Sequence, residues 1–388
     1  MQQDPLAFAR HALQRLPTAL WRQERCFVPC AKGLRTDMGK GQPLLDFSSN
    51  DYLGLAQAAE GSNSPGSVAT GGGSGASPLV TGLRPIHQQL REALCAWLGR
   101  ERVFLFPSGF QANVSLLAAL ADRRCLVLAD RLCHHSLLLG VRSSGASLQR
   151  FAHNDLGDLE RRLGKARQQH PRRRVVVVSE SLFSMEGTSP DVPELAALCG
   201  RFGALLVLDE AHALGVLGSL GRGLAWDRPH VHVVVGTFGK ALGSGGAMVA
   251  VDGVLGEYLL QFCGGYRYST ALAPALAAAT LANLQRLPGL EPERQALLAR
   301  AWQLRQRLVA LGYPRPPGHG PVVPVLVGDE EVAMALQRRL EEAGLLVTAI
   351  RPPTVPQGTA RLRVVLRHGQ PPRAMDILVQ TLLDGQHE

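Results

Sequence analysis

Lysine is scarce in this chain. Of the 41 basic residues among 388, only Lys32, Lys40, Lys165 and Lys240 are lysine, and the other 37 are arginine. The formal net charge is +9. A nucleic-acid binder would gather such an excess into a face or tail. Here arginine is spread along the chain, and the one dense run, Arg172-Arg173-Arg174, sits just before a strand as a solvated edge. Anionic small molecules and acidic carrier proteins are the partners this leaves. No apolar run reaches the roughly 18 residues of a membrane helix, and the segment Met1 to Arg10 has no apolar core of signal-peptide length. The chain is therefore expected to be soluble and cytoplasmic, with no membrane partner. The seven cysteines are odd in number and scattered, as reduced cytosolic thiols are. Cys26 and Cys30 are followed by no second ligand pair at zinc spacing, so no metal is expected. No phosphate-binding loop of the G-x-x-x-x-G-K-[ST] type is present either, which sets aside a helicase reading of Asp209-Glu210-Ala211-His212.

The length suggests two or three domains, and 46% hydrophobic with 19% charged residues is ordinary globular composition. Residues 1–45 read as an arm, with a helix over Leu6 to Trp21 and a polar stretch to Gln42. Residues 46–285 read as a large domain and 286–388 as a small C-terminal α/β domain. The run Gly71-Gly72-Gly73-Ser74-Gly75 reads as a linker. From Leu83 to Val251 helices alternate with short valine- and leucine-rich strands: Arg102 to Phe106, Cys125 to Ala129, Val175 to Ser179, Leu205 to Leu208 and Val231 to Val235. Continuous apolar strands separated by helices indicate a mainly parallel sheet between two helical layers. After Tyr268 the chain is expected to be helical, from Pro274 to Leu311. After it come strand Val322 to Val327, helix Glu331 to Ala343, strand Leu345 to Ile350 and strand Arg361 to Val365. In parallel α/β sheets ligands gather at the carboxyl ends of the strands.

Three features stand at those ends. Strand Leu205 to Leu208 runs into Asp209, with His212 three residues on. Strand Val231 to Val235 runs into Gly236-Thr237-Phe238-Gly239-Lys240, which places the one lysine with apolar and glycine neighbours at a strand mouth. Such surroundings lower a lysine pKa and favour nucleophilic use. Taken singly, each has a plainer reading, Asp209 as a cap and Lys240 as a turn residue. Taken together, a lysine able to form a Schiff base and an aspartate able to bond a pyridinium nitrogen are the pair that pyridoxal 5'-phosphate (PLP) chemistry needs. Third, Pro107-Ser108-Gly109-Phe110 opens a helix, whose free N–H groups suit a phosphate, and Thr237 can add a hydroxyl.

These residues resemble the α-oxoamine synthases, fold-type I PLP enzymes that condense an amino acid with an acyl thioester and lose carbon dioxide. The likeness rests on Phe47-Ser48-Ser49-Asn50-Asp51-Tyr52-Leu53-Gly54-Leu55, Asp209-Glu210-Ala211-His212, Thr237-Phe238-Gly239-Lys240 and Phe151-Ala152-His153-Asn154-Asp155. It runs from about residue 20 to the C-terminus. The segment Thr348-Ala349-Ile350-Arg351-Pro352-Pro353-Thr354-Val355-Pro356 is most similar to members that join L-alanine to pimeloyl-CoA or to a pimeloyl-acyl carrier protein. A sister synthase using glycine or another acyl group, and a non-catalytic relative, are the other readings.

By position the resemblance implies Lys240 as the cofactor lysine and proton carrier, Asp209 as partner of the pyridine nitrogen, and His134 as the ring-stacking histidine. His135 stands beside it where the family has a small residue. His212 and Ser184 would lie near the ring oxygen. Gly109, Phe110 and Thr237 would contact the phosphate, joined by Thr270 from the second subunit of a homodimer. Arg351 would anchor a carboxylate, with Asn50 and Thr354 as substrate contacts. Arg22 or Arg25 would meet the acyl substrate from the arm.

Overall fold

The computed structural model describes residues 4–30, 33–56 and 72–385. It divides into two units. One comprises Met1–Ser49, Arg300–Pro317 and Val322–Glu388; the other comprises Asn50–Ala299 and Gly318–Pro321.

In the first unit, β1 (Phe27–Pro29), β2 (Leu34–Asp37) and β3 (Pro43–Asp46) form an antiparallel meander. The second unit contributes β4 (Arg102–Phe106), β5 (Leu126–Asp130), β6 (Ser147–Phe151), β7 (Val175–Glu180), β8 (Leu205–Asp209), β9 (Val233–Thr237) and β10 (Ala247–Val251). The chain then supplies the first unit again with β11 (Val322–Gly328), β12 (Leu345–Leu346), β13 (Thr348–Ile350) and β14 (Ala360–Val365).

The sheet of the second unit runs β4-β10-β9-β8-β7-β5-β6. All its pairings are parallel except those of β10, which is antiparallel to both β4 and β9. The mainly parallel expectation follows from burial on both faces: Val175–Glu180 and Leu126–Asp130 are buried at every position. Phe104, Val127, Val176, Val207, Val235 and Val249 meet Leu116, Leu117 and Leu137 in one core beneath the helices Gly109–Leu120 and His135–Ser144. Burial of this kind stabilises by about 25 cal/mol per Å² of apolar surface. β6 escapes a reading by hydrophobicity because it is the edge strand, exposed at Ser147, Gln149 and Arg150.

Several expected elements differ in extent. The arm helix covers only Ala7–Gln14, and after Pro17 the chain makes a single 3-10 turn, Thr18–Leu20. Proline cannot supply the N–H that would continue the helix. The helical region after Tyr268 breaks into Pro274–Arg286, a 3-10 turn Leu287–Leu290 holding Pro288 and Gly289, and Glu291–Ala310. The strand expected over Leu345 to Ile350 is two strands. Residues 345–346 extend the N-terminal meander beside β3, whereas 348–350 pair with β14. The chain changes sheets at Val347, and the β3–β12 pairing ties residues 43–46 to a sequence position 300 residues away. The glycine-rich run is packed where it is described: Ser74 is buried and its hydroxyl donates to Leu272 O at 2.6 Å, while Arg84 donates to Gly73 O at 2.9 Å. Gly71 lies outside the described residues.

Several of the dispersed arginines are structural. Arg294 and Arg367 are 1% exposed, and Arg167 donates to the carbonyls of Phe202, Arg173 and Gly203. A rigid five-donor fork suits this bridging of loop carbonyls in a way that a lysine point charge does not.

Candidate active site

In the second unit the carboxyl ends of β4, β7, β8 and β9 lie along one edge of the sheet, since β10 is antiparallel to its two neighbours. β8 delivers Asp209, which is 5% exposed. Its Oδ1 accepts the Ala211 N–H at 2.9 Å and its Oδ2 accepts Asn113 Nδ2–H at 2.8 Å. Asn113 is one turn into the helix Gly109–Leu120, so the helix that opens at Gly109 also clamps the carboxylate. That helix is capped by the Ser108 hydroxyl, which accepts the Gln111 N–H at 3.2 Å.

His134 caps the helix His135–Ser144. Its Nδ1 lies 2.7 Å from Ser136 Oγ. Partial burial lowers its pKa, opposed by the Asp209 charge and reinforced by Lys240 and His135. Phe110 stands edge-on to the His134 ring at 6.4 Å between centroids and lies equally far from His135. The field of Lys240 reaches Glu180 as well. The structure thus brings Asp209, His134, Phe110 and Lys240 into one neighbourhood.

Thr237 ends β9. Its hydroxyl donates to Gly246 O at 3.2 Å and accepts the Gly239 N–H at 3.3 Å. A methyl group built on Gly109 would lie 3.6 Å from Thr237 Cβ, so the helix N-terminus and the Thr237 hydroxyl face each other across a space that a side chain at 109 would enter. His212 is 7% exposed, and its Nδ1 lies 2.6 Å from the Tyr52 hydroxyl, which is also 3.4 Å from Asn50 Oδ1. Ser184 is half-buried in the turn closed by Gly187 N–H to Phe183 O at 2.9 Å. Thr270 is exposed. Its neighbour Ser269 instead accepts Gln111 Nε2–H at 2.6 Å on the first turn of the Gly109 helix.

The first unit holds the other three candidates around a cavity of about 1530 Å³. Arg22 Nη2 donates to Thr354 Oγ1 at 3.1 Å, and Arg351 Nη2 to Trp21 O at 2.6 Å. Arg25, which spacing alone does not separate from Arg22, lines the same cavity but is engaged by two carboxylates. It bridges Asp37 at 2.6 Å and Glu341 at 2.5 Å.

Three residues had no signal of their own in the sequence. Glu180 is buried at the end of β7, beside Asp209 on β8. Its Oε1 accepts the His134 N–H at 2.6 Å, and burial, with Asp209 adding to it, pushes its pKa well above the carboxylate range. Asn113 and Ser136 read as ordinary helix residues. Only Tyr52 lay inside a quoted motif.

The donor set suits PLP on physical grounds. A fixed carboxylate can hold a pyridinium nitrogen, a helix N-terminus with a hydroxyl opposite can hold a phosphate, and a histidine lies within electrostatic reach of both the carboxylate and the lysine. Among the described residues no cluster of side chains could hold a metal ion, and no helix is long and apolar enough to cross a membrane.

Comparison with known proteins agrees with this geometry. The family described as Aminotransferase class I and II matches residues 42–382. An 8-amino-7-oxononanoate synthase from Chromohalobacter salexigens is 43% identical over 386 residues, which is 98% of this chain and 96% of that protein. A Sphingomonas wittichii serine palmitoyltransferase structure superposes with a TM-score of 0.86 at 26% identity, covering 99% of this chain and 97% of that one. The crystal structure of 8-amino-7-oxononanoate synthase from Francisella tularensis gives 0.74 at 26% identity, over 89% and 97%. A strand-end aspartate and lysine on this sheet, and a likeness that runs nearly end to end, place the chain in the family of 8-amino-7-oxononanoate synthases, PLP-dependent acyltransferases of the class I and II aminotransferase fold.

Proposed function

We propose that the chain condenses L-alanine with a pimeloyl thioester, of coenzyme A or of an acyl carrier protein, as a step of biotin synthesis. A bond forms between alanine Cα and the thioester carbonyl carbon, the C–S bond breaks and the thiol leaves. The bond from Cα to the carboxylate then breaks to release CO2, and a proton takes its place, giving 8-amino-7-oxononanoate. The observation that carries this reading is the meeting of Asp209, His134 and Lys240 at one sheet edge in a chain 43% identical to a synthase of that name.

PLP, when bound, supplies an electron sink for the negative charge that develops at Cα. Lys240 Nζ removes the Cα proton as general base and returns one after decarboxylation. The Asp209 carboxylate would hold the pyridine nitrogen protonated, which would keep the sink strong. The N–H groups at Gly109 and Phe110, with the Thr237 hydroxyl, bind the phosphate. The His134 ring would stack on the cofactor, and His212 and Ser184 would lie near its ring oxygen. Arg351 would pair with a substrate carboxylate near Thr354, Arg22 would meet the acyl chain, and Asn50 is a further candidate substrate contact.

The working form is a homodimer in which Thr270 of each copy reaches the phosphate of the other. Its exposure, next to Tyr268 at 77% and Phe262 at 63%, supports a surface that a second copy covers. Seven unpaired thiols suit a cytoplasmic location.

The test is product mass. Purified protein with PLP is given L-alanine and pimeloyl-CoA in one reaction, and glycine with acetyl- or succinyl-CoA in others. The aminooxononanoate mass from alanine alone is the expected result. A glycine-derived aminoketone would move the protein to a sister activity, and no product with any pair would remove the catalytic reading.

A further inference from the structure

A buried chain of hydrogen bonds joins Asp209 to His134. Asn113 is 3% exposed and Ser136 is fully buried. Asn113 Nδ2 lies 2.8 Å from Asp209 Oδ2 and 3.0 Å from Ser136 Oγ. Ser136 Oγ lies 2.7 Å from His134 Nδ1, and the Ser136 backbone N–H donates to the same nitrogen at 3.3 Å. The two helices meet closely enough for this because of Gly140. A Cβ there would come within 2.8 Å of Asn113 O and 3.0 Å of Val114 Cα. Gly140 lies one turn beyond Ser136, so their close approach presses the serine onto the asparagine.

The polarity of the chain follows from donor inventory together with the Ser136 backbone N–H, which already donates to His134 Nδ1. A carboxylate accepts, so the Asn113 amide must turn its NH2 toward Asp209; flipped, it would set oxygen against oxygen. The second N–H of that NH2 then points at Ser136 Oγ, which accepts it. The one hydroxyl hydrogen of Ser136 is left for His134 Nδ1. With a hydroxyl and a backbone N–H both donating to Nδ1, that nitrogen carries no hydrogen, and the ring proton sits on Nε2.

We infer that Asn113 and Ser136 are positioning residues that hold His134 as the neutral Nε2–H tautomer and lock its ring orientation to that of the Asp209 carboxylate. This rests on the reading of His134 and Asp209 as the two groups that hold the PLP ring. A proton on Nδ1 would face two donors and force the Ser136 hydroxyl to turn from its acceptor. The titratable groups acting on the ring are Asp209, Lys240 and His135, and Glu180 accepts the His134 backbone N–H. The consequence is that His134 does not add a positive charge against the ring whose nitrogen Asp209 keeps protonated.

The test reads the tautomer directly in the PLP-loaded protein. Long-range proton–nitrogen correlation spectra of 15N-histidine-labelled protein, with His134 assigned by its loss in His134→Asn, should show Nδ1 without hydrogen and Nε2 with one at pH 7.5. A hydrogen on Nδ1 overturns the inference and needs no variant of the relay to fold. Ser136→Ala should mix the tautomers and raise the His134 titration midpoint by about 1 pH unit. It should also weaken PLP retention severalfold in dialysis. Ser136→Thr, which keeps the hydroxyl, should restore the tautomer. A well-folded Ser136→Ala protein with wild-type His134 shifts and midpoint would also overturn it. Loss of product formation with an intact relay would count against the proposed reaction instead, so the two failures are distinguishable.

Discussion

The hydroxyl of Tyr52 and Nδ1 of His212 lie 2.6 Å apart, although 160 residues separate them in the chain. Tyr52 is fully buried and His212 nearly so. The Asn50-Asp51-Tyr52 segment thus orients a histidine that follows the Asp209 strand, and its tyrosine acts through that histidine. Tyr52→Phe keeps the packing and removes one hydrogen bond. It is expected to cost about 1 kcal/mol of stability and to lower kcat roughly tenfold. Thermal melts and steady-state kinetics measure both; a wild-type kcat would end the positioning role of Tyr52.

Lys240 has a sharper expectation. Borohydride reduction in the presence of PLP should add the phosphopyridoxyl mass to the wild-type chain and not to Lys240→Ala, and the variant should lose turnover. Retained turnover in Lys240→Ala would remove Lys240 from the mechanism.

The two arm arginines should separate by phenotype. Arg22 bonds Thr354 beside the cavity of the first unit, so Arg22→Ala should raise KM for the acyl donor about tenfold with little change in melting temperature. Arg25 is the bridge between Asp37 and Glu341. Arg25→Ala should lower the melting temperature by a few degrees and leave KM nearly unchanged. The reverse pattern would exchange their roles.

Glu210 gives the stability a pH dependence. Burial raises its pKa from the ordinary 4.5 to about 7, against the N–H groups of Leu224 and Ala225 that favour its charge. Its Oε2 fills the place where a side chain at 223 would be, since a Cβ on Gly223 would come 1.6 Å from it. The folded state therefore holds a proton that the unfolded chain has lost between those two values. Stability from this group is full below about pH 4.5, falls as pH rises, and is gone above about pH 7, a change on the order of 3 kcal/mol. Glu210→Gln keeps an acceptor for both N–H groups and removes the titration. Relative to wild type it should gain stability between pH 5 and pH 8, as urea unfolding at the two pH values would show. An unchanged difference at both pH values would exclude the titration of Glu210.

Much of this molecule is readable without coordinates. Buried parallel strands are continuous valine runs because both faces are covered, so Val175–Glu180 and Leu205–Asp209 stand out, and their ends point to Asp209. Lys240 is conspicuous because lysine is otherwise nearly absent. Helix Val192–Arg201 begins at the Asp191 cap, whose side chain accepts the Glu194 N–H. Edge strand β6 was not legible, since only one neighbour and one buried residue define it.

Hydrophobic period, caps and strand-end chemistry are local, and the sequence alone determined them: the mainly parallel sheet, the glycine-opened helix at 109, and the aspartate–lysine pair. The tertiary structure decided what depends on pairs distant in sequence. It joined Arg25 to two carboxylates, Asp37 and Glu341, and Arg22 to Thr354. It split 345–350 between two sheets. It also set Asn113 between Asp209 and Ser136, 96 and 23 residues away in the chain. An asparagine in a helix has no pattern that names its partners. Only the close crossing at Gly140 and the depth of burial, where every donor must find an acceptor, fix which groups it joins.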